Sequence, residues 1–283
     1  MLLLSIVSAM SRADVWLGAG VHGGFAQMNY SLDIAKPRGG FYTGLGFALE
    51  LQKGHFLFAP GVELAFRQTV TKLDDRQLAY TMLDTEGVQF IYNGDVTRRT
   101  DYGRSTELRL PIMFGAELRQ HVYLLAGPKV NISLAASTKQ TAYLSTVGDY
   151  DRYYELLHDM PNHGFHSREK HTDKNDFQWN TDVMLYAELG GWWLAQRSTY
   201  GGMPIKFRLA LFGEYGLLDV RKSKSPGLLY DVDNNHYMDI KMNYVFNSSG
   251  IDNTLHNYTV GLRFTVLFRV QQSPSCKNCE WNK

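Results

Sequence analysis

The sequence predicts an all-β protein, an eight-stranded antiparallel up-and-down transmembrane β-barrel with long extracellular loops. Three observations predict it. From Val15 onward apolar residues recur with a period of two, the strand signature. The stretches between these runs alternate short and long. The two faces of each run also differ: one is almost uncharged, while the other mixes Gly, Ala and aromatics with charges of both signs.

The first strand sets Leu17, Ala19, Val21 and Phe25 against Gly18, Gly20, His22 and Gly24. The second sets Phe41 to Leu51, odd positions, against Tyr42, Gly44, Gly46, Ala48 and Glu50. The third carries Phe56, Phe58, Val62, Leu64 and Phe66 opposite Ala59, Gly61, Glu63, Ala65 and Arg67. In the fourth, Leu108 to Leu118 alternate with Glu107, Arg109, Pro111, Met113, Gly115 and Glu117. The fifth places Val122, Leu124, Ala126, Val130 and Ile132 opposite Tyr123, Gly127, Lys129, Asn131 and Ser133. The sixth runs Val183, Leu185, Ala187, Leu189 and Trp193 against Asp182, Tyr186, Glu188, Gly190 and Trp192. The seventh runs Phe207, Leu209, Leu211 and Tyr215 against Lys206, Arg208, Ala210, Glu214 and Gly216. The last sets Tyr258 to Phe268, even positions, against Thr259, Gly261, Arg263, Thr265 and Arg269. Runs of about ten residues suffice for a tilted strand to cross a bilayer.

Short connections are expected at Gln52 to His55, Arg119 to His121 and Gln196 to Met203. Long ones are expected at Ser31 to Gly40, Thr71 to Arg104, Ser137 to Gln178 and Arg221 to Leu255. Such alternation puts all the turns on one rim and all the loops on the other, as in outer-membrane barrels.

Composition excludes several other classes. The formal charge of +1, with both signs interspersed, argues against a dedicated nucleic-acid binder. No stretch of 18 or more apolar residues offers a membrane helix. The mean hydropathy of −0.28 is compatible with transmembrane strands, whose alternation averages lipid-facing with lumen-facing residues.

A soluble barrel would show water a face rich in Lys, Glu, Thr and Ser. Here the polar face instead suits a narrow lumen in which small residues make room and opposite charges pair. Its expected structural network is Glu50, Glu63, Arg67, Glu107, Arg109, Glu117, Lys129, Glu188, Arg208, Glu214 and Arg263. Interfacial aromatics are expected at Trp179, Trp193, Tyr215, Tyr258 and Phe268. The organisation read from the chain is a truncated export leader at 1–13, a barrel at 14–270 and a periplasmic tail at 271–283.

The motifs that suggest chemistry do not assemble a site. Gly18 to Gly23 spells G-x-G-x-x-G inside a strand pattern rather than before a helix. Asp231, Asp233 and Asn235 open like a calcium loop, but His236 replaces the turn glycine and Met242 stands where the bidentate glutamate belongs. His158, His163, His166 and His171 lack zinc-site spacing, and Cys276 and Cys279 form half of one. His166 and Ser167 are adjacent, so in a strand they point to opposite faces. No catalytic residue, cofactor or metal is expected.

With the strands placed, Ser105 to Phe114 (STELRLPIMF), followed by a tight turn and Tyr123 to Lys129 (YLLAGPK), resembles the PorT-like outer-membrane β-barrel family of Bacteroidota-type envelopes. Tyr258 to Phe268 (YTVGLRFTVLF) is similar to that family's closing strand. Thr106 and Arg109 depart from the aromatic and apolar residues usual there. The resemblance implies a non-enzymatic protein of the cell outer membrane. Its partners would be outer-membrane lipid and envelope or secretion-complex proteins, as an accessory of type nine secretion. The alternatives are a surface-recognition or adhesin-like barrel acting through its long loops, and a small passive channel.

Overall fold

The computed structural model describes residues 13–30, 32–83, 87–119, 121–150, 165, 169–176, 179–195, 204–221, 229–233, 239–247 and 254–271. The strands are β1 (Asp14–Asn29), β2 (Ala35–Pro37), β3 (Gly40–Lys53), β4 (Phe56–Leu73), β5 (Arg76–Leu83), β6 (Gln89–Arg119) and β7 (Val122–Asp149). They continue with β8 (Glu169–Asp176), β9 (Asp182–Leu194), β10 (Ile205–Gly216), β11 (Tyr230–Asp233), β12 (Asp239–Met242) and β13 (His256–Gln271).

Eight of these close a ring. Antiparallel pairings run β1–β3, β3–β4, β4–β6, β6–β7, β7–β9, β9–β10 and β10–β13, and β13 returns to β1 over Gln271 to His256. Closure leaves no sheet edge within the ring. Lys53-Gly54-His55 turns tightly between β3 and β4, with Gly54 at φ +59°, a conformation that suits glycine. The β6–β7 turn places His121 at φ 71°. The expected turn at Gln196 to Met203 lies outside the described residues, as do the expected leader (1–13) apart from Ala13 and the expected tail (271–283) apart from Gln271, which ends β13.

The structure corrects two of the expected long loops. Residues Thr71 to Arg104 and Ser137 to Gln178 are in large part strand. β6 and β7 pair continuously from Ile91↔Asp149 down to Arg119↔Val122, and β5 and β8 flank their upper halves. The strands change face at irregularities: the β6–β7 register shifts between Thr97 and Thr100, where Arg98 sits at φ 52°, and again between Thr106 and Glu107. Such bulges reverse which parity points inward, so a strict period of two breaks and the stretch reads as loop.

The result is a barrel surmounted by a four-stranded tower, β5-β6-β7-β8. The tower has its own core, in which Phe90, Tyr92, Val96, Ala142, Leu144, Tyr150 and Phe165 pack with Tyr230 and Met242 of the β11–β12 hairpin. A second cluster (Met28, Tyr30, Leu73, Val220, Val245, Phe246 and Leu255) sits at the loop rim.

Candidate functional site

The lumen is built by parity. Along each ring strand the buried positions are those of the polar face, and the exposed positions are aliphatic or aromatic. Among the described residues, the outward positions from Tyr215 and Tyr258 at the loop rim to Trp193 and Phe268 at the turn rim carry no Asp, Glu, Lys, Arg or His.

Every charged residue expected inside lies in the lumen, and the structure joins them across it. Near the turn rim, Arg208 of β10 donates through both terminal nitrogens to Glu50 of β3, one contact at 2.9 Å. Lys206 Nζ lies 3.7 Å from Glu50 and 3.2 Å from Glu117, and also donates to Gln52 at 3.0 Å. At mid-height Glu63 accepts from Lys129 at 3.0 Å and from Arg263 at 2.7 Å, while Arg263 Nε is 3.9 Å from Glu188. Lys129 reaches on to Glu214 at 2.7 Å, and Glu214 meets Arg109 at 2.8 Å. Arg109 donates to Glu107, whose other oxygen is 3.6 Å from Arg67 Nε.

Lys206 is the residue that expectation left out of this network. Its parity matches that of Arg208, which was the available signal. With it, the ion-paired set holds six carboxylates (Glu50, Glu63, Glu107, Glu117, Glu188, Glu214) and six cations (Arg67, Arg109, Lys129, Lys206, Arg208, Arg263), while Asp182, also buried on the polar face of β9, accepts from the Leu218 N–H and from Asn257 instead. Neutrality is what a low-dielectric interior requires, since an unmatched buried charge costs several kcal/mol.

Aromatic rings fill the space between the charges. Lys129 Nζ lies 3.7 Å from the Tyr186 ring centre, Arg109 is 4.5 Å from Tyr42, Arg208 is 4.3 Å from Tyr123 and Lys206 is 4.5 Å from Trp16. These four cations thus have a π-face as well as a carboxylate. His22 stacks on Tyr42, accepts or donates at 2.7 Å to its hydroxyl and meets the edge of Phe212. These contacts occupy its ring as a packing element. A cavity of about 30 Å³, lined in part by Glu50, Tyr186, Glu188, Arg208 and Arg263, is room for about one water.

Above the network, Asp101 accepts from Arg99, Gln140 and the Val245 backbone, tying the 3-10 turn Val245–Asn247 over the mouth. Asp219 braces the same region by accepting from the Arg221 side chain and from the Leu255 backbone N–H. Burial alone would raise the Asp219 carboxyl, but these donors outweigh it and hold its pKa below the usual value.

Four of the expected interfacial aromatics point outward, Trp193 and Phe268 at one rim and Tyr215 and Tyr258, directly paired, at the other. Trp179 is a correction. It packs in the mouth against Phe246, ring centres 5.7 Å apart, and bridges to Arg221. It precedes β9 and therefore packs on the 3-10 turn over the mouth rather than following the lipid-facing parity. The glycines of Gly18 to Gly23 lie inside β1, where added side chains at Gly18 and Gly20 would meet Leu267 and Thr265 of β13. Asp231 and Asp233 are strand residues paired with Lys241 and Asp239. His158, His163, His166, Ser167, Cys276 and Cys279 lie outside the described residues, and no metal-ligating cluster occurs among those described.

No family model matches the chain, and no curated protein matches it. Solved structures similar to it include Ail, the attachment invasion locus protein of Yersinia pestis, at 11% identity over 89% of this chain and 99% of that one, TM-score 0.26. Ail in complex with the heparin analogue sucrose octasulfate gives 10% identity over 89% and 99%, TM-score 0.27. Neisserial surface protein A gives 8% identity over 89% and 96%, TM-score 0.30. The barrel fold of this chain rests on its closed ring of strand pairings.

Proposed function

We propose that the chain is a non-enzymatic integral protein of the outer membrane that uses its barrel as a rigid mount for a recognition surface, the tower β5-β6-β7-β8. The observation that carries the membrane reading is the uncharged outer belt. On β13, Phe268 lies ten residues beyond Tyr258, about 33 Å along the strand at ~3.3 Å per residue and about 25 Å along the axis after a tilt of ~40°. That is the height of an outer-membrane apolar band, and aromatics mark both its ends.

The tower supports the recognition reading. It keeps a hydrophobic core well clear of the belt, and loops and strands held on a rigid scaffold are where binding usually resides. The packed lumen disfavours the channel. The test is protease treatment of intact cells: cleavage confined to the tower, with a heat-dependent gel shift of the remaining barrel, is expected. A chain fully protected in cells and released by salt alone overturns the proposal.

The PorT-like stretches Ser105 to Phe114 and Tyr123 to Lys129 support a second reading, an accessory of type nine secretion. Deleting the gene and assaying secreted cargo in the medium separates the two: cargo loss favours the accessory, unchanged secretion the recognition surface.

A further inference from the structure

Just above the apolar belt, one outer wall of the barrel turns basic. Gln68 pairs with Arg104 one outward position above Phe66, which contacts Phe41 at 5.5 Å between ring centres. In the next row the Arg38 N–H bonds to the Val70 carbonyl at 2.8 Å, Val70 pairs with Tyr102, and Tyr102 pairs with Lys139. One row higher, Lys72 pairs with Thr100 and, across β2, with Lys36. Arg38, Lys72 and Arg104 are exposed and Lys139 is half-buried, so three rows on neighbouring strands gather four cations.

Among the described residues none of these four has a carboxylate partner, and Arg104 spends only its Nε, on Gln68 at 3.0 Å. Two acids on this wall are engaged: Asp74 holds Lys36 at 2.8 Å, and Asp75 accepts the Arg98 N–H at 2.8 Å; on β8, Lys174 pairs with Lys139 and Asp176 with Ser137. In the lumen, by contrast, every cation meets a carboxylate. The wall therefore presents uncompensated positive charge at the level where the headgroups of a surrounding leaflet begin.

We infer that Arg38, Lys72, Arg104 and Lys139 form a binding surface for the phosphate groups of a phosphorylated glycolipid in the leaflet around the loop rim. This rests on the membrane reading above and adds a ligand to it. Guanidinium forks suit phosphate oxygens in pairs, lysines supply point charges, and a lipid headgroup is held beside the belt by its own acyl chains. No soluble anion has that last advantage.

The test uses the full chain in zwitterionic detergent titrated with bisphosphorylated lipid A. Saturable binding is expected, weakened about fivefold per charge removed and several hundredfold, on the order of 600-fold, in R38Q/K72Q/R104Q/K139Q. Lys53→Gln, exposed at the opposite rim, should leave binding unchanged. Equal binding of dephosphorylated lipid A, undiminished binding by the quadruple variant, or equal loss with Lys53→Gln overturns the inference. So does displacement of lipid A by inorganic phosphate at matched phosphate concentration, which marks a free-anion site. Heat-dependent gel migration of each variant reports its folding. If the parent shifts on heating yet ignores lipid A, this inference alone fails; if the parent shows no shift, the membrane reading fails and this one with it.

Discussion

Arg208 on β10 and Glu50 on β3 meet across the lumen with two guanidinium nitrogens on two carboxylate oxygens, although β13 and β1 separate their strands around the ring. The pair braces the wall from inside. Arg208→Met leaves Glu50 with Lys206 alone and should destabilise the folded barrel by about 3–5 kcal/mol, the usual effect of breaking a buried pair. Urea titration in detergent, followed by the heat-dependent gel shift, measures it. A loss below about 1 kcal/mol would show that the pair is incidental.

On the outer face, Leu211 of β10 pairs with Leu262 of β13 near mid-belt, and both are exposed. Leu211→Arg should cost about 2–4 kcal/mol of stability in lipid vesicles, because arginine at mid-bilayer carries that penalty. Thr81→Arg, exposed on the tower, should stay within about 0.5 kcal/mol. Equal effects at both positions would contradict the placement of the belt.

Phe90 stacks on Tyr150 at 4.6 Å and meets the edge of Phe165, so it knits the tower together. Phe90→Ala should cost the tower about 3–5 kcal/mol and open it to limited proteolysis, while the barrel keeps its gel shift. Loss of the shift would mean that tower and barrel fold as one unit.

Among the described residues the lumen is filled by paired charges and rings, which disfavours a continuous water path, so the protein should give no stable unit conductance in planar bilayers. Discrete, reproducible openings by the parent chain would show that the packing at Arg109, Lys129 and Tyr186 yields.

The Asp219 carboxylate works against its own burial, held in charged form by Arg221 and the Leu255 N–H. Its folded pKa is depressed, so its stabilising contribution is present at neutral pH and is lost as pH falls from about 4 through the folded value. The protection of the Leu255 amide relative to its intrinsic exchange should fall over that window in the parent. Asp219→Asn should abolish that fall and give lower protection throughout.

Much of the barrel was legible because a strand's period is two and one face meets lipid: Leu209, Leu211 and Tyr215 declare the outside, and Arg208 and Glu214 then have only the inside left. Charge balance made the lumen network legible as a set, since a narrow interior tolerates no surplus. The tower was not legible. Tyr92, Val96, Ala142 and Leu144 do alternate, but bulges near Arg98 and Leu134 shift their parity relative to Arg109 and Lys129 below, so the runs look unconnected. Trp179 was misplaced for a related reason: an aromatic just outside a strand carries no parity to follow.

The sequence by itself determined the ring of strands, the side of the wall that each residue of those eight runs occupies and the near-neutrality of the interior, because these depend on local periodicity and on the cost of unpaired charge. Only the tertiary structure decided which carboxylate meets which cation, that Lys206 completes the set and that the loop-rim segments fold into a tower. It also decided that Arg38 joins Lys72, Arg104 and Lys139 on one wall. Those outcomes depend on register and bulges between strands far apart in the chain, and a one-residue slip reverses every face.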